Sequence, residues 1–327
     1  MILACLTAPA AVTARADVDA GGTRVAAQPR AQTAIFYYAW FGTPERDGEY
    51  QHWQQGGSAP PAQVGSNYYP SRGVYSSSNV VVLAAQMREL AAAGIGTVIV
   101  SWWGRDSLED QRLPLVQAAA RAQGLAVAAH LEPYTGRTVA STRDDISHLR
   151  TFGVTDFYVW ASVHLPDEEW LALNRSVAGV RLFANTNLPG KAAAGGFDGV
   201  YTYDVLLYGG DFFPRYCAQA RRLQLLCAPS VGPGYDARNA TTDERVRPRR
   251  DGLTYDGMWQ GAIRARADLV TVTSYNEWHE GTQIEPARPV TGYASYDGAW
   301  GRRGAAAESA YLDRTAYWAA QHGAARR

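Results

Sequence analysis

Gly96-Thr-Val-Ile-Val-Ser-Trp-Trp103 and Leu125-Ala-Val-Ala-Ala-His-Leu-Glu-Pro-Tyr134 bracket a helical stretch from Asp110 to Gln123 that Gly124 closes. Neither bracketing run alternates polar with apolar residues at first. A strand of that kind is buried on both faces, which is the condition of a parallel sheet covered by helices. The same unit recurs in both directions along the chain. Upstream, Ala34 to Trp40 (AIFYYAW) is a β-rich run, followed by a long loop with Gly42, Pro44, Asp47-Gly48 and Pro60-Pro61. Asn79 is placed to cap a helix running to Ala93, with Val82, Met87 and Leu90 among its apolar positions and Gly94 at its end.

Downstream, a helix over 142–151 precedes a strand over 156–162. Asp167, Glu168 and Glu169 open another helix, with acids in the first turn where the helix dipole favours them. Strands follow over 180–186 and, after a short connection, 198–203. A helix over 212–222 leads to a strand over 223–229, and a helix over 254–267 to a strand over 269–275. A last helix spans 305–321. Eight strands alternating with helices predict an α/β fold, a (β/α)8 TIM barrel over 34–327. A doubly wound open sheet is the alternative, but no Gly-rich phosphate loop follows the first strand.

Composition narrows the function. The 31 basic and 31 acidic residues cancel, leaving no electrostatic footprint for nucleic acid or an anionic membrane. Lys191 is the one lysine, so Schiff-base chemistry has a single candidate. No apolar run after the first few residues reaches the length of an integral membrane segment. Aromatic usage is skewed, with 10 Trp and 19 Tyr against 8 Phe. Rings with polar edges suit a wet cleft and a polyhydroxylated ligand.

Residues 1–33 read as a signal peptide or disordered leader. Ala14-Arg15-Ala16 has the small-x-small form of a cleavage site, although a basic n-region is missing, and a secreted or cell-surface location is the expectation. Cys5 falls in that leader. Cys217 and Cys227 are an even pair, open to a disulfide or to two buried thiols.

Barrel sites form at the C-terminal ends of the strands. Those ends carry Tyr37, Tyr38 and Trp40, then Trp102 and Trp103, then His130, Glu132 and Tyr134, with Trp160, Asn185, Asn187, Tyr201, Tyr203, Asp204 and Tyr235. After the eighth strand comes Asn276-Glu-Trp-His-Glu-Gly-Thr-Gln-Ile-Glu285. Glu277 and Glu280, three apart, fall on one side of a turn, close enough to push their pKa values apart. One carboxyl can then stay an acid while the other stays a base, the division of labour of glycoside hydrolysis. His130 and Glu132 point the same way from one strand and read as ligand-binding or as a buried ion pair. His52, His130 and His279 are the histidines to weigh as metal ligands, but neither HExxH nor a Cys-based zinc spacing is present.

The decapeptide at 276–285, with Pro229-Ser-Val-Gly-Pro-Gly-Tyr235, His130-Leu-Glu-Pro-Tyr134, Phe197-Asp-Gly-Val-Tyr-Thr-Tyr203, Ser101-Trp-Trp103 and Phe36-Tyr-Tyr-Ala-Trp40, closely resembles glycoside hydrolase family 99. The endo-α-1,2-mannosidases and endo-α-1,2-mannanases belong to that family. The resemblance implies a barrel without metal or other cofactor that hydrolyses inside an α-mannan or mannose-containing glycan with retention. It casts Glu277 as a base on the sugar's own 2-hydroxyl, forming a 1,2-anhydro sugar, and Glu280 as general acid and then base. It further implies hydroxyl-binding roles for Glu132 and Tyr203 and a distal-sugar role for Trp102 or Trp103, and Tyr38, His130, Tyr134, Tyr235, Asn276, Trp278, His279 and Glu285 complete the candidate substrate-binding set. Residues 236–250 and 159–169 depart from the family pattern, which leaves the distal sugar contacts and the linkage open. A non-catalytic carbohydrate-binding barrel, or a glycosidase for another α-glycan, is the alternative.

Overall fold

The computed structural model describes residues 32–326. The expected leader therefore lies outside the described residues, except Gln32 and Thr33, and Thr33 opens the first strand.

The strands are β1 Thr33–Tyr37, β2 Thr97–Trp102, β3 Ala126–Leu131, β4 Asp156–Val159, β5 Arg181–Asn185, β6 Gly199–Tyr201, β7 Leu226–Ala228 continued by Ser230–Val231, and β8 Val270–Val272. Each stands where the sequence predicts one. All neighbouring pairs in this sheet are parallel. Pro229 interrupts β7 because it has no N–H to give the ladder. The half before it pairs with β6 and the half after it with β8. The nine hydrogen-bonded segments are thus eight strands, and since β1 pairs with both β2 and β8 the barrel closes.

The helical layer is α1 Val80–Ala92, α2 Leu108–Ala122, α3 Val139–Thr151, α4 Asp167–Ser176, α5 Pro189–Ala194, α6 Phe213–Arg222, α7 Leu253–Arg264 and α8 Ala310–Ala325. Asn79 accepts from the Val81 N–H as the sequence predicts, and Ser107 and Thr138 cap α2 and α3 in the same way. The short connection after β5 holds α5, whose single turn and a half is too brief to show periodicity. Cys217 of α6 and Cys227 of β7 are joined as a disulfide, which ties that helix to the barrel. No helix among the described residues is long and apolar enough to cross a membrane.

Inside the barrel the strands present Phe36, Ile99, Tyr158, Phe183 and Tyr201, all fully or almost fully buried. Tyr158 stacks on Phe183 at 4.7 Å, and Phe36 packs on His130 at 4.8 Å. The bottom and middle of the barrel are therefore filled. Space opens beyond the strand ends, and two small antiparallel pairings lie outside the barrel sheet. Tyr69–Pro70 pairs with Ala287–Arg288, and Tyr235–Asp236 with Val246–Arg247.

Candidate active site

A cavity of about 200 Å³ sits at the C-terminal mouth, lined by Tyr38, Trp40, Trp103, His130, Glu132, Pro133, Trp160, Tyr203, Glu277 and Glu280. These come from β3 itself and from the segments just past β1, β2, β3, β4, β6 and β8, so the closure of the barrel is what gathers them. Three carboxylates and five aromatic rings form the lining, with no Arg or Lys. Such walls repel anions and stack on apolar ring faces, while the carboxylates accept hydrogen bonds from hydroxyl groups.

Glu277 and Glu280 both face this space, as their spacing predicts. Burial pushes both above the ordinary carboxylate range, and the charge of Glu277 adds to the effect on Glu280, which is pushed up to about 8. For Glu277 the burial is opposed by His279, whose Nδ1 lies 3.3 Å from Oε1 and whose backbone N–H donates to the same oxygen at 3.2 Å. The pair is thereby split, with Glu280 the better acid at neutral pH and Glu277 drawn towards its anion.

Tyr203 donates to Glu280 Oε2 at 3.3 Å and also hydrogen-bonds to the Tyr38 phenol. Burial, with the nearby carboxylates, holds both phenols well above their ordinary range, so they are donors throughout the working pH range. Tyr203 adopts a left-handed backbone (φ 53°), which is costly for a bulky residue. The conformation is pinned from both sides: its N–H donates to Ser230 Oγ at 2.9 Å, and its carbonyl accepts from Thr273 Oγ1 at 3.0 Å.

Glu132 is held by Ser101 Oγ at 2.8 Å and lies 2.8 Å from His130 Nδ1, while His130 Nε2 meets the Tyr201 phenol at 2.8 Å. Ser101 also accepts from Trp103 Nε1 at 3.1 Å, which fixes that indole at the rim. Arg137 was not legible as a site residue. It donates to the carbonyls of Leu131, Glu132 and Trp160, tying the ends of β3 and β4 together.

Several expected substrate-binding residues stand elsewhere. Trp103 is 39% exposed on the cavity, but Trp102 is fully buried with its Nε1 on Asp110 of α2. Tyr134 bonds to Asp145 and Ser141 outside the cavity. Asn276 clamps both the N–H and the carbonyl of Tyr38 at 2.8 Å, which positions that tyrosine. Trp278 and Glu285 are fully buried: Glu285 accepts from Arg72, Tyr75, Gln86 and Trp278 at 2.8–2.9 Å. Tyr235 borders a second cavity of about 140 Å³ that shares Trp160, Tyr203 and Glu280 with the first and adds Asp204, Leu206 and Arg245. Its phenol donates to Asp243, which also pairs with Arg245.

The loop carrying the two carboxyls is held by residues the sequence did not mark. The guanidinium of the half-buried Arg249 is enclosed by the rings of Tyr68, Tyr296 and Tyr311, each 4.6–4.8 Å from its central carbon. Its Nη2 donates to the carbonyls of Gly281 and Gln283. Gly281 has φ 63°, and a Cβ there would come within 2.7 Å of the Asp236 carbonyl, so the position takes only glycine. No three His, Cys, Asp or Glu side chains among the described residues are grouped to hold a metal ion.

A closed (β/α)8 barrel whose mouth combines stacked aromatic rings with a split pair of carboxyls has the architecture of a glycoside hydrolase. Residues 30–324 match Glycosyl hydrolase family 99, and the chain belongs to that family. It is 33% identical to the glycoprotein endo-alpha-1,2-mannosidase-like protein of Danio rerio, over 78% of this chain and 71% of the relative. It is 31% identical to the glycoprotein endo-alpha-1,2-mannosidase of Xenopus laevis, over 80% of this chain and 71% of that one. The GH99 endo-alpha-mannosidase from Bacteroides thetaiotaomicron superposes with a TM-score of 0.80 at 28% identity, covering 91% of this chain and 99% of that chain. The protein is an enzyme of the glycoside hydrolase class.

Proposed function

We propose that the enzyme cleaves internal α-mannosidic linkages, α-1,2 foremost, with retention of configuration. The observation that carries this reading is the split between two carboxyls on one cavity: Glu280 pushed up to about 8 and Glu277 drawn back towards its anion by His279. In the first step Glu277 takes the proton of the sugar's 2-hydroxyl as that oxygen displaces the glycosidic oxygen at the anomeric carbon. Glu280 gives its proton to the departing oxygen, and a 1,2-anhydro sugar results. In the second step Glu280, now a carboxylate, takes a proton from water as the water attacks the anomeric carbon. Glu277 returns its proton to the 2-oxygen, and both residues are reset. Two inversions at one carbon give net retention.

Tyr203 supplies the donor that orients Glu280, and Tyr38 hydrogen-bonds to Tyr203 in turn. Trp40, Trp103 and Trp160 offer faces for sugar stacking, and Glu132 an acceptor for a hydroxyl. The second cavity, on the other side of Glu280, suits the leaving-group portion of the chain. Its Arg245 and Asp243 belong to the segment that departs from the family pattern, so linkage preference is expected to be set there. The Cys217–Cys227 bond supports an oxidising compartment, in keeping with a secreted or cell-surface enzyme. The test is a product profile on a panel of α-linked mannans and other α-glycans. Internal cleavage of α-mannans is expected, and cleavage confined to another α-glycan would replace the substrate assignment.

A further inference from the structure

We propose that His279 is a positioning residue that holds one proton against Glu277 and so keeps the base carboxyl ionised within a cluster of carboxylates. The inference rests on the reading of Glu277 as the base. Nε2 of His279 lies 2.7 Å from the backbone carbonyl oxygen of His52. A carbonyl oxygen can only accept, so Nε2 carries a proton. The other ring nitrogen, Nδ1, is 3.3 Å from Glu277 Oε1. Were His279 neutral and Glu277 ionised, two lone pairs would face each other across that gap. A proton between them removes the conflict, and it can rest on Nδ1 or on Oε1.

The surroundings choose between the two positions. The backbone N–H of His279 also donates to Oε1, which favours the carboxylate form. His279 is the one basic side chain within ion-pair distance of Glu277 among the described residues. Opposing it are burial and the charge of Glu132, with the carboxyl of Glu280 and the phenols of Tyr38 and Tyr203 beyond. On its outer side His279 packs near Trp40, Phe41 and His52 at 5.6–5.8 Å between ring centroids. Burial, and then the charge of His279, hold His52 down at about 4, so it stays neutral and adds no second cation. Arg112, behind Ala39, is engaged with Asp47. The proton therefore rests on Nδ1, and Glu277 keeps a charge with which to take the hydroxyl proton. During that transfer the sugar O–H bond breaks and a carboxyl O–H bond forms, while the Nδ1 proton stays in place.

The experiment is the pH dependence of kcat/KM for the wild type and for His279→Phe, which keeps a ring against Trp40 and Phe41. The acid limb, set by ionisation of Glu277, should move up by about one pH unit, a tenfold loss of ionised base on that limb. The basic limb, set by Glu280, should stay, and KM at the optimum should be little changed. Two unmoved limbs would overturn the proposal. Should His279→Phe not fold, ¹⁵N-histidine spectra of the intact protein decide: His279 is expected to carry both ring protons, and only the Nε2 proton in Glu277→Gln. A bare Nε2, or a spectrum unaffected by Glu277→Gln, would overturn it. If Glu277→Gln itself cleaves normally the base assignment fails; if it is inactive while His279→Phe keeps the wild-type acid limb, only the role of His279 fails.

Discussion

The phenol of Tyr203, just past β6, donates to Oε2 of Glu280 in the loop after β8, at 3.3 Å. That contact joins opposite parts of the chain across the cavity and orients the carboxyl that burial keeps protonated. Removing it by Tyr203→Phe takes away a donor to the carboxylate form that Glu280 adopts after the first step. A loss of about 10–100-fold in kcat is expected from one hydrogen bond to a charged group. Steady-state kinetics check it, and an unchanged kcat would disconnect Tyr203 from the chemistry.

The two carboxyls differ in how they respond to the leaving group. General acid–base help is worth about 10²–10⁴-fold, so Glu277→Gln and Glu280→Gln should each lose that much on a natural glycan. On a glycosyl fluoride, whose departure needs less protonation, Glu280→Gln should regain much of the first step, and Glu277→Gln should not. Single-turnover cleavage is the measurement, because Glu280 also activates water afterwards. Equal responses, or rescue of Glu277→Gln alone, would reverse the roles.

Glu280 also fixes a pH dependence. It must be protonated to act as acid, so kcat/KM should fall as pH rises through about 8. The same shift bears on folding. With its folded value raised above the ordinary carboxylate range, the folded state binds more protons than the unfolded one, so this group's contribution to stability falls from about pH 4.5 up to about pH 8. Glu280→Gln should therefore be more stable than the wild type at pH 8 and gain nothing at pH 4. Water reaching the cavity limits the gain to about 1–2 kcal/mol. Thermal melts at both values test it, and an equal effect at the two would contradict it.

Most of the barrel was legible because its strands are buried on both faces and read as unbroken apolar runs between helices. The break of β7 at Pro229 was not legible, since one strand serving two neighbours in turn is a property of closure and not of the run. The site was legible as a neighbourhood more than as contacts. Trp102 ends β2 and Trp103 lies just past it, and only the structure tells which of the two faces the cavity. Within the decapeptide, Glu277 and Glu280 face the cavity, whereas Asn276, Trp278 and Glu285 hold the loop that carries them. A dense motif does not distinguish the two groups. Arg249 carried no signal, because a cation enclosed by three tyrosines from distant segments has no local pattern.

That division predicts how Glu285 behaves. Glu285→Ala leaves the Arg72 guanidinium without one of its two carboxylate partners and three further donors unpaired. Stability should drop by about 3–5 kcal/mol, while KM for glycan in the folded enzyme stays close to the wild type. Denaturant titration and kinetics below the melting range check this, and a raised KM at undiminished stability would make Glu285 a substrate ligand.

Metal dependence is a further discriminator. His130 Nε2 bonds to Tyr201 and His279 Nε2 to the His52 carbonyl, and no three His, Cys, Asp or Glu side chains among the described residues are grouped to hold a cation. Exhaustive chelation should leave hydrolysis unchanged. Loss on chelation with recovery on adding a divalent ion would reassign those histidines.

The most direct test of the central claim follows an α-1,2-linked mannan by NMR during its first turnovers, reading the anomeric configuration and the length of the released fragments. Net retention by two inversions within one cavity predicts that the α-anomer appears first, on fragments cut from inside the chain. Release of the β-anomer first would contradict the two-step role of Glu277 and Glu280.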